Sequence, residues 1–337
     1  MLSALLDENG KLVLRECPKP SVGSSDVLIK VLASGICGTD LHVFSGKSKG
    51  KPNVIRGHEF CGRVEELGSD VKGFEIGDLV SVDPNIFCGY CYFCRRGEIH
   101  LCENLLALGV DIDGGFADYC VVPYKQLYKL PKDITPEEGA MMEPTACALH
   151  GIERVNIKPG DTVLIIGGGA LGIILLQLAY IYGASLVFLV EPVEEKRDIA
   201  KSLNAHTLDP TKVDVVSEIK KLTKIGVDIA IEAVGGADTV KIAIDSVRRG
   251  GKILIFGVSS EKDLINLSPF LVYYKELSIF GSFVNPYTNT RAIELIARKR
   301  IDVKKIISHR FPLLEINKAV EVGLSGKALR VVITWEE

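Results

Sequence analysis

The spacing of hydrophobic positions changes near the middle of the chain. Before residue 159, apolar residues form short runs of strand length, separated by Gly, Pro and Asp turns. After residue 161, apolar runs of strand length alternate with stretches of helix length. Alternation of this kind predicts a doubly wound parallel sheet. The sequence therefore predicts an α/β protein with a mostly β first half and a parallel sheet in its second half.

The predicted elements follow this division. In the first half the predicted strands are Val27–Ala33, Cys61–Leu67, Leu79–Val82 and Ala117–Val122. In the second half the predicted strands are Thr162–Ile166, Leu186–Val190, Asp228–Ala233 and Lys252–Phe256. The helices predicted between them are Ala170–Tyr182, Glu194–Leu203 and Thr239–Val247. A helix at Arg291–Arg300 and a strand at Arg330–Trp335 follow, and we expect that strand to rejoin the first half.

One uncharged stretch, residues 162–190, is longer than the roughly 20 residues that cross a bilayer. Five glycines divide it into strand, helix and strand, and parallel strands covered on both faces are typically apolar throughout. We therefore expect a buried unit and no membrane partner. The apolar start, Met1–Leu6, meets Asp7 and Glu8 and is too short for a signal-peptide core, so we expect a cytoplasmic protein.

Composition narrows the range of functions. A chain of 337 residues with 47% hydrophobic residues can bury a sizeable core, in about two domains. The formal charge is −3, with 40 basic and 43 acidic residues mixed along the chain, which argues against nucleic-acid binding and favours a small-molecule partner. Nine cysteines, an odd number, favour metal ligation in a reducing compartment over a disulfide framework.

Four of these cysteines form the strongest local motif. They lie within 15 residues, in a segment rich in turns: Cys88, Cys91, Cys94 and Cys102. Four thiolates complete a tetrahedral zinc ion and leave no open position, so such a site stabilises structure. The alternatives are free core cysteines and a nucleic-acid-binding zinc finger, for which Arg95 and Arg96 are the only basic pair. We expect a structural zinc lobe at about 86–104.

A glycine-rich segment follows the predicted strand Thr162–Ile166. Residues 167–172 match the motif G-x-G-x-x-G and begin a predicted helix. Gly167 would permit a tight turn, Gly169 would let the backbone approach a pyrophosphate, and Gly172 would let the helix lie close to the strand. In this context the motif predicts a dinucleotide site, and a glycine turn without a nucleotide is the alternative.

Glu191 ends the next predicted strand, 19 residues after Gly172. Its carboxylate would accept hydrogen bonds from the adenosine ribose and repel a 2′-phosphate, which favours NAD over NADP. Lys196 and Arg197 leave NADP open as an alternative, because either side chain could turn towards a phosphate. The expected cofactor contacts of this region are Gly167, Gly169, Leu171, Gly172, Glu191 and Lys196.

A second set of candidate metal ligands is scattered along the first half. Cys37, His58, Glu59 and Glu143 offer one thiolate, one imidazole and two carboxylates. Each residue alone is more typical of a packed or solvated position. Together they suffice for a catalytic zinc that keeps one position open.

These motifs together resemble the zinc-containing medium-chain dehydrogenase/reductase family, in particular its sorbitol and threonine dehydrogenase branch. The resemblance covers nearly the whole chain. Besides the four cysteines and the glycine motif, it rests on Gly35–His42, Gly57–Glu59, Asp113–Tyr119 and Ser308–Phe311. It implies a GroES-like catalytic domain over 1–148 and 285–337, with a Rossmann dinucleotide-binding domain inserted over 149–284.

The resemblance also assigns metal ligands by position. It implies that Cys37 and His58 bind a catalytic zinc and that Glu59 is a ligand that can dissociate. Glu143 stands where alcohol dehydrogenases have a second cysteine, a substitution shared with the polyol and threonine branch. The sequence leaves open whether Glu143 binds zinc directly or through water.

The remaining implied roles concern the substrate, its proton and the nicotinamide. Thr39 and His42 resemble the family's proton relay to solvent. The other implied contacts are Phe116 to the substrate, and Val258, Ser282 and Phe283 to the nicotinamide end of the cofactor.

The expected function is zinc-dependent oxidation of a secondary hydroxyl of a polyol or sugar-like substrate, with hydride transfer to NAD. Carboxylate in place of thiolate makes a harder ligand set, which favours chelation of neighbouring hydroxyls. The segment 281–286 also resembles the polyol dehydrogenases. The alternatives are an L-threonine 3-dehydrogenase, an NADP-dependent reductase of short ketones or aldehydes, and a catalytically inactive zinc-stabilised binding protein.

Oligomeric state is open at this level. We expect a homodimer or homotetramer, and the apolar segment Phe270–Phe283 could be an edge strand at a dimer interface or part of the core.

Overall fold

The structure, a computed structural model, describes residues 1–336. It divides into two compact units. The first unit consists of residues 1–146 together with the chain from residue 284 onward, and the second unit is Cys147–Phe283.

The first segment of the chain, up to residue 155, is mostly β-structure. Its strands are β1 (Leu2–Leu6), β2 (Leu12–Glu16), β3 (Asp26–Gly35), β4 (Glu59–Leu67), β5 (Leu79–Val82), β6 (Asn85–Ile86), β7 (Leu106–Ala107), β8 (Tyr119–Pro123) and β9 (Leu127–Lys129). Its helices are α1 (Gly38–Phe44), α2 (Tyr92–Arg95), α3 (Pro136–Ala140) and α4 (Met142–Val155).

The second segment alternates strands and helices. Its elements are β10 (Thr162–Ile166), α5 (Ala170–Ile181), β11 (Leu186–Val190), α6 (Glu194–Ser202), β12 (His206–Leu208), α7 (Val215–Thr223), β13 (Val227–Glu232), α8 (Ala237–Ser246), β14 (Val247–Ile255), α9 (Pro269–Lys275) and β15 (Ser278–Gly281). The chain then returns to the first unit with α10 (Asn289–Ala297), β16 (Ile307–Pro312), α11 (Ile316–Leu324) and β17 (Arg330–Thr334).

The first unit is organised by a seven-stranded sheet in the order β16-β17-β3-β4-β5-β9, with β8 also paired to β3. The antiparallel pairing of β3 with β4 places Gly35 opposite Glu59. The returning strand β17 pairs antiparallel with β3 and places Val332 opposite Gly35. Register therefore brings the end of β3, the start of β4 and the last described strand to one place.

The second unit is a six-stranded, wholly parallel sheet in the order β12-β11-β10-β13-β14-β15. Its strand cores are apolar, since Leu164, Phe188 and Ala230 are at most 1% exposed. The order of the strands reverses between β10 and β13, and such a switch point is where open α/β sheets bind ligands. The predicted fold class, a parallel Rossmann-type sheet inserted in a mostly β unit, is confirmed.

Some elements differ from their predicted bounds. β14 begins at Val247, five residues before the predicted strand. Val247 pairs with Val227 of β13, and a register shift separates this pair from the next one, Lys252 with Ile229. The segment Phe270–Phe283 forms most of helix α9 and the edge strand β15, and Phe270 and Tyr273 are exposed by 67% and 82%. Within residues 1–336, no helix combines the length and the apolar character that crossing a bilayer requires.

Candidate active site and metal centres

A compact cluster of metal-binding side chains forms where β3 and β4 meet. The ligand atoms of Cys37, His58 and Glu59 all lie within 4.8 Å of one another. Cys37 lies between the end of β3 and the start of α1, while Glu59 is the first residue of β4. The register of Gly35 with Glu59 creates this proximity, and a Cβ atom at position 35 would overlap the Glu59 carboxylate. Glycine at position 35 is therefore part of the site's construction.

The chemistry of this cluster fits zinc. A thiolate, an imidazole and a carboxylate are typical ligands of catalytic zinc, whose tetrahedral shell at 2.0–2.3 Å separates neighbouring ligands by roughly 3.5 Å. Burial disfavours the protonated imidazole of His58, but the neighbouring charges of Cys37 and Asp40 outweigh it and raise the pKa of His58. The surroundings of His58 thus favour a positive charge, which a zinc ion would supply.

Two buried ion pairs support the cluster. Arg330 on β17 donates from Nη1 to both carboxylate oxygens of Glu59, at 2.9 and 2.7 Å, and to the carbonyl of Ile36 at 2.9 Å. Asp40 accepts from the Cys37 backbone N–H at 3.2 Å and from Arg56 Nη2 at 3.1 Å. The Asp40 oxygen that accepts from Cys37, Oδ2, also lies 3.8 Å from His58 Nδ1. These groups orient the candidate ligands, as the outer shell of a metal site does.

Sequence reasoning missed both arginines. Arg330 lies 271 positions from Glu59, and only the pairing of β17 with β3 brings it close. Arg56 lies next to the Gly57-His58-Glu59 motif. A charged residue is ordinarily expected at the surface, but Arg56 is only 1% exposed.

Glu143 lies near this cluster without belonging to it. It is in the first turn of α4, it is 7% exposed, and its charge acts on both His58 and Arg330. Among the described residues, the ligand atoms at this cluster that lie within 4.8 Å of one another are those of Cys37, His58 and Glu59, and Glu143 is outside this set. Ligation by Glu143 stays a prediction.

The predicted proton relay lies on the short helix α1. The Cys37 thiol lies 3.8 Å from the Thr39 hydroxyl, and Thr39 is exposed. His42 follows three residues later, a spacing that places the two side chains on one side of a helix, and it is half-buried. Phe116, the predicted substrate contact, is fully buried, and its ring lies where a Cβ atom of Gly57 would be.

The four cysteines of the lobe also converge. The Sγ atoms of Cys88, Cys91, Cys94 and Cys102 lie within 4.8 Å of one another, and none forms a disulfide. Cys102 Sγ accepts from the backbone N–H groups of Cys88 and Asn104, each at 3.3 Å. Burial would raise the pKa of Cys88, but backbone N–H donors of Tyr90 and Cys91 outweigh it and lower that pKa to about 6. A preformed set of four converging cysteine sulfurs fits a closed zinc site.

A buried polar network underlies the lobe. Asp83 accepts hydrogen bonds from the side-chain amides of Asn85, Asn285 and Asn289, the last at 2.8 Å. Asn85 begins β6, which pairs with β7 on the other side of the lobe. Burial raises the pKa of Asp83 and these hydrogen bonds lower it. Burial has the larger effect, and the pKa is raised to about 6.

The second unit carries the glycine-rich turn. Gly167 follows β10 with φ 108°, a conformation that favours glycine. A Cβ atom at Gly172 would overlap the carbonyl oxygen of Gly167, so helix α5 can lie this close only with glycine there. Gly169 caps α5 without a side-chain acceptor, and nothing lies within 4 Å of its missing Cβ. The N-terminus of α5 therefore offers free N–H donors to an anion.

Glu191 lies beside this turn. Its Oε2 accepts from the Gly168 N–H at 2.8 Å, its Oε1 accepts from the Val193 N–H at 3.0 Å, and the residue is 6% exposed. Lys196 is 8% exposed and has no ion pair with any acid among residues 1–336. Arg197, in contrast, is bound to backbone carbonyls and to Asp209.

The predicted nicotinamide contacts follow the carboxyl ends of neighbouring strands. Val258 lies after β14 and is 65% exposed, and Phe283 lies after β15 and is 54% exposed. Ser282 has a buried hydroxyl with no hydrogen-bond partner among the described residues.

Glu232, at the end of β13, was not singled out by the sequence. It is fully buried, and its Oε1 accepts from Val234 N–H, Gly235 N–H and the Thr239 hydroxyl, each at 2.8 Å. Its carbonyl accepts from the N–H groups of residues 256 and 257. Glu232 therefore ties together the two loops that follow β13 and β14.

Comparisons with known proteins agree with this geometry. Residues 23–132 match the family model of the alcohol dehydrogenase GroES-like domain, and residues 170–298 match that of zinc-binding dehydrogenases. An L-threonine 3-dehydrogenase of Pyrococcus horikoshii is 37% identical, with 96% of this chain and 94% of the relative covered. A sorbitol dehydrogenase of Bacillus subtilis is 32% identical, with 99% and 97% covered.

Solved structures point to the same family. A zinc-binding dehydrogenase of Sinorhizobium meliloti 1021, bound to NADP, has a TM-score of 0.95 and 38% identity, and 99% of each chain is covered. An Escherichia coli alcohol dehydrogenase complexed with NADH has a TM-score of 0.92 and 29% identity, again with 99% of each chain covered. The cofactors are accordingly zinc and a nicotinamide dinucleotide, and the chain is an alcohol-oxidising enzyme that belongs to the zinc-dependent medium-chain dehydrogenase/reductase family.

Proposed function

We propose that the protein oxidises a secondary hydroxyl of a polyol or sugar-like substrate and transfers the hydride to NAD. The observation that carries this proposal is the compact set of Cys37, His58 and Glu59, with Glu143 close by. We assign the catalytic zinc to Cys37, His58 and one or both carboxylates, and the structural zinc to the four lobe cysteines. Catalysis belongs to residues 1–148 and 285–337, and cofactor binding to 149–284.

The chain's own residues hold the metal and move the proton. Zinc at this set supplies a Lewis acid that lowers the pKa of a substrate hydroxyl. Glu59 would be one of the residues that hold the metal, and its pairing with Arg330 would keep its buried carboxylate compensated if it were not a ligand. The Thr39 hydroxyl would take up the substrate proton and release its own, which would pass by the cofactor ribose to His42 and from there to solvent.

The glycine turn would hold the dinucleotide, through Gly167, Gly169, Leu171 and Gly172. NAD, when bound, supplies the hydride acceptor. Glu191 favours NAD because a 2′-phosphate would meet its carboxylate. Of the two cations that could favour NADP, Arg197 is already bound to other groups, which leaves Lys196 to contact the ribose. Val258, Ser282 and Phe283 would contact the nicotinamide end of the cofactor. Phe116, whose ring packs against Gly57, would line the substrate pocket.

Threonine is the second candidate substrate, because the L-threonine 3-dehydrogenase of Pyrococcus horikoshii is more similar to this chain than the sorbitol dehydrogenase of Bacillus subtilis, at 37% against 32% identity. Polyols remain the proposal because the segment 281–286 resembles the polyol dehydrogenases. The carboxylates of Glu59 and Glu143 support a chelating substrate, which includes both vicinal diols and threonine. An NADP-dependent reductase is favoured by the NADP-bound structure from Sinorhizobium meliloti.

A substrate panel tests the proposal. The zinc-loaded enzyme is assayed for NAD and NADP reduction with sorbitol, xylitol, arabitol, inositol, 2,3-butanediol, threonine and ethanol. A vicinal diol with NAD should give the highest kcat/KM. Threonine in first place would replace the polyol assignment, ethanol in first place would refute the hard-ligand argument, and a higher kcat/KM with NADP would overturn the role of Glu191.

Location and assembly complete the proposal. The free thiols suit a reducing, cytoplasmic environment. We propose a homodimer or homotetramer, because α9 exposes Phe270 and Tyr273 and the edge strand β15 exposes Ile279. Sedimentation analysis of the purified protein measures this directly.

A further inference from the structure

The guanidinium of Arg197 is fixed inside the second unit. Nη1 donates to the carbonyls of Glu191 and Pro192, at 2.7 Å each, and Nη2 lies 3.2 Å from Asp209 Oδ2. The side chains of Arg197 and Asp209 are 8% and 11% exposed. Arg197 therefore ties the chain just after β11 to the chain just after β12.

Other cations of this region behave differently. Lys201, one turn further along α6, pairs with Asp198 at the surface, where both side chains are more than half exposed. Lys212 also reaches Asp209, but its side chain is 71% exposed. An arginine is taken out of water only where its donors are satisfied, and the three partners of Arg197 meet that condition.

The backbone that Arg197 holds also carries the carboxylate of Glu191. That carboxylate spans from the Gly168 N–H to the Val193 N–H, so both of its oxygens have defined positions. Each carboxylate oxygen can accept a further hydrogen bond. Gly168 leaves room for this placement, because a Cβ atom there would lie 2.8 Å from Glu191 Cγ.

We propose that Arg197 is a positioning residue that determines cofactor specificity: it does not touch the dinucleotide, but it fixes the 191–193 backbone so that Glu191 presents its carboxylate to the adenosine ribose. This inference rests on the proposed preference for NAD. Discrimination against a 2′-phosphate requires a carboxylate that cannot swing away, because a mobile carboxylate can make room for the phosphate. Arg197 and Asp209 supply that rigidity.

Removing the guanidinium should therefore affect the two cofactors unequally. In Arg197→Met the Glu191 and Pro192 carbonyls lose their donor, and the 191–193 segment gains freedom. The dissociation constant of NADH should rise about tenfold. That of NADPH should stay level or fall, because a mobile carboxylate can make room for its phosphate. Arg197→Lys keeps one charged donor group and should restore part of the preference.

The experiment measures binding of NADH and NADPH to the zinc-loaded protein by fluorescence titration, beside kcat and KM for NAD. The variants are Arg197→Met, Arg197→Lys and Asp209→Asn, with Lys201→Met as the matched control that removes a cation from the same helix. The expected result is a smaller NADH preference in Arg197→Met and Asp209→Asn, a raised KM for NAD with kcat at saturation nearly unchanged, and no change in Lys201→Met.

The outcomes distinguish failure of the Arg197 inference from failure of the proposed choice of NAD. An unchanged ratio of the two dissociation constants in Arg197→Met, even with a lower melting temperature, overturns the inference and leaves Arg197 a purely structural residue. If Arg197→Met does not fold, Asp209→Asn decides by the same ratio. Tighter NADPH than NADH binding by the unmodified protein refutes the proposed choice of NAD, whatever the variants do.

Discussion

The two candidate metal centres are built in opposite ways. The four-cysteine lobe takes all its ligands from 15 consecutive residues, and backbone N–H groups of the same segment donate to the sulfur of Cys102. The cluster of Cys37, His58 and Glu59 depends on strand register and on an arginine 271 positions away. A structural site can thus be closed by local chain geometry, whereas the candidate catalytic site depends on the fold of its whole unit.

Cys37→Ala should have the largest effect. The variant loses the only thiolate of the cluster, so kcat/KM for the best alcohol should fall about 10⁴-fold, or about 5 kcal/mol. The lobe should keep its metal, because no lobe ligand is changed. Zinc counting beside the assay checks both statements, and a fully active Cys37→Ala enzyme would remove zinc catalysis at this cluster.

Arg330→Met should destabilise the protein next most strongly. It leaves the buried Glu59 carboxylate without its partner, and the free energy of unfolding should fall by about 4 kcal/mol. Denaturant unfolding of the metal-free protein measures this loss. Arg310→Met is the control, since its exposed pair with Glu137 should contribute less than about 1 kcal/mol. Equal losses in the two variants would contradict the buried-pair argument.

The Asp83 network should make the base of the lobe sensitive to pH. Because the folded-state pKa is raised from 3.8 to about 6, the folded protein holds the Asp83 proton more tightly than the unfolded chain does. The group therefore costs stability progressively as the pH rises from about 4 to 6, up to about 3 kcal/mol.

Asp83→Asn removes this titration. The unfolding free energy of the unmodified protein relative to Asp83→Asn should decline from pH 4 to pH 7 and then level off. Denaturant titrations of both proteins at each pH measure the difference, in which all other titrating groups cancel. A difference that does not vary with pH would show that Asp83 keeps an ordinary pKa.

Cys102→Ser should have the smallest of these effects on stability, about 2 kcal/mol, because three thiolates and the hairpin-like frame of the lobe remain. Zinc content should fall by up to one ion per chain while NADH binding is unchanged. Cys17→Ser, a change at a cysteine outside both clusters, should alter neither quantity. Loss of activity without loss of zinc would refute the structural role of the lobe.

The sequence allowed some of this to be predicted with accurate bounds. Strands β5, β10 and β11 have the residues that their apolar runs indicated, because each run is bounded by turn residues. The lobe and the glycine turn were also predictable, since spacing along the chain determines their geometry.

Other features depend on tertiary contacts that periodicity does not contain. The strand β12 is only three residues long, too short for a periodic pattern. The charged segment before β13 forms helix α7, which the sequence pattern did not predict and whose N-cap is the Asp214 side chain, accepting from the Ser217 N–H. In the sequence, Glu232 and Asp83 are polar residues at strand ends with no sign of a special role. The structure shows that both are buried and accept several hydrogen bonds. Arg197 could be placed near the cofactor, but the sequence did not show that it is bound inward.

The long separation between Glu59 and Arg330 has a consequence for biosynthesis. Proteins fold while they emerge from the ribosome, N-terminal parts first. The four lobe cysteines are all available once residue 102 has emerged, whereas Glu59 has to wait for Arg330 until nearly all of the described chain has been translated. Zinc can therefore enter the lobe on the nascent chain, while the other cluster reaches its final arrangement only when translation is almost finished.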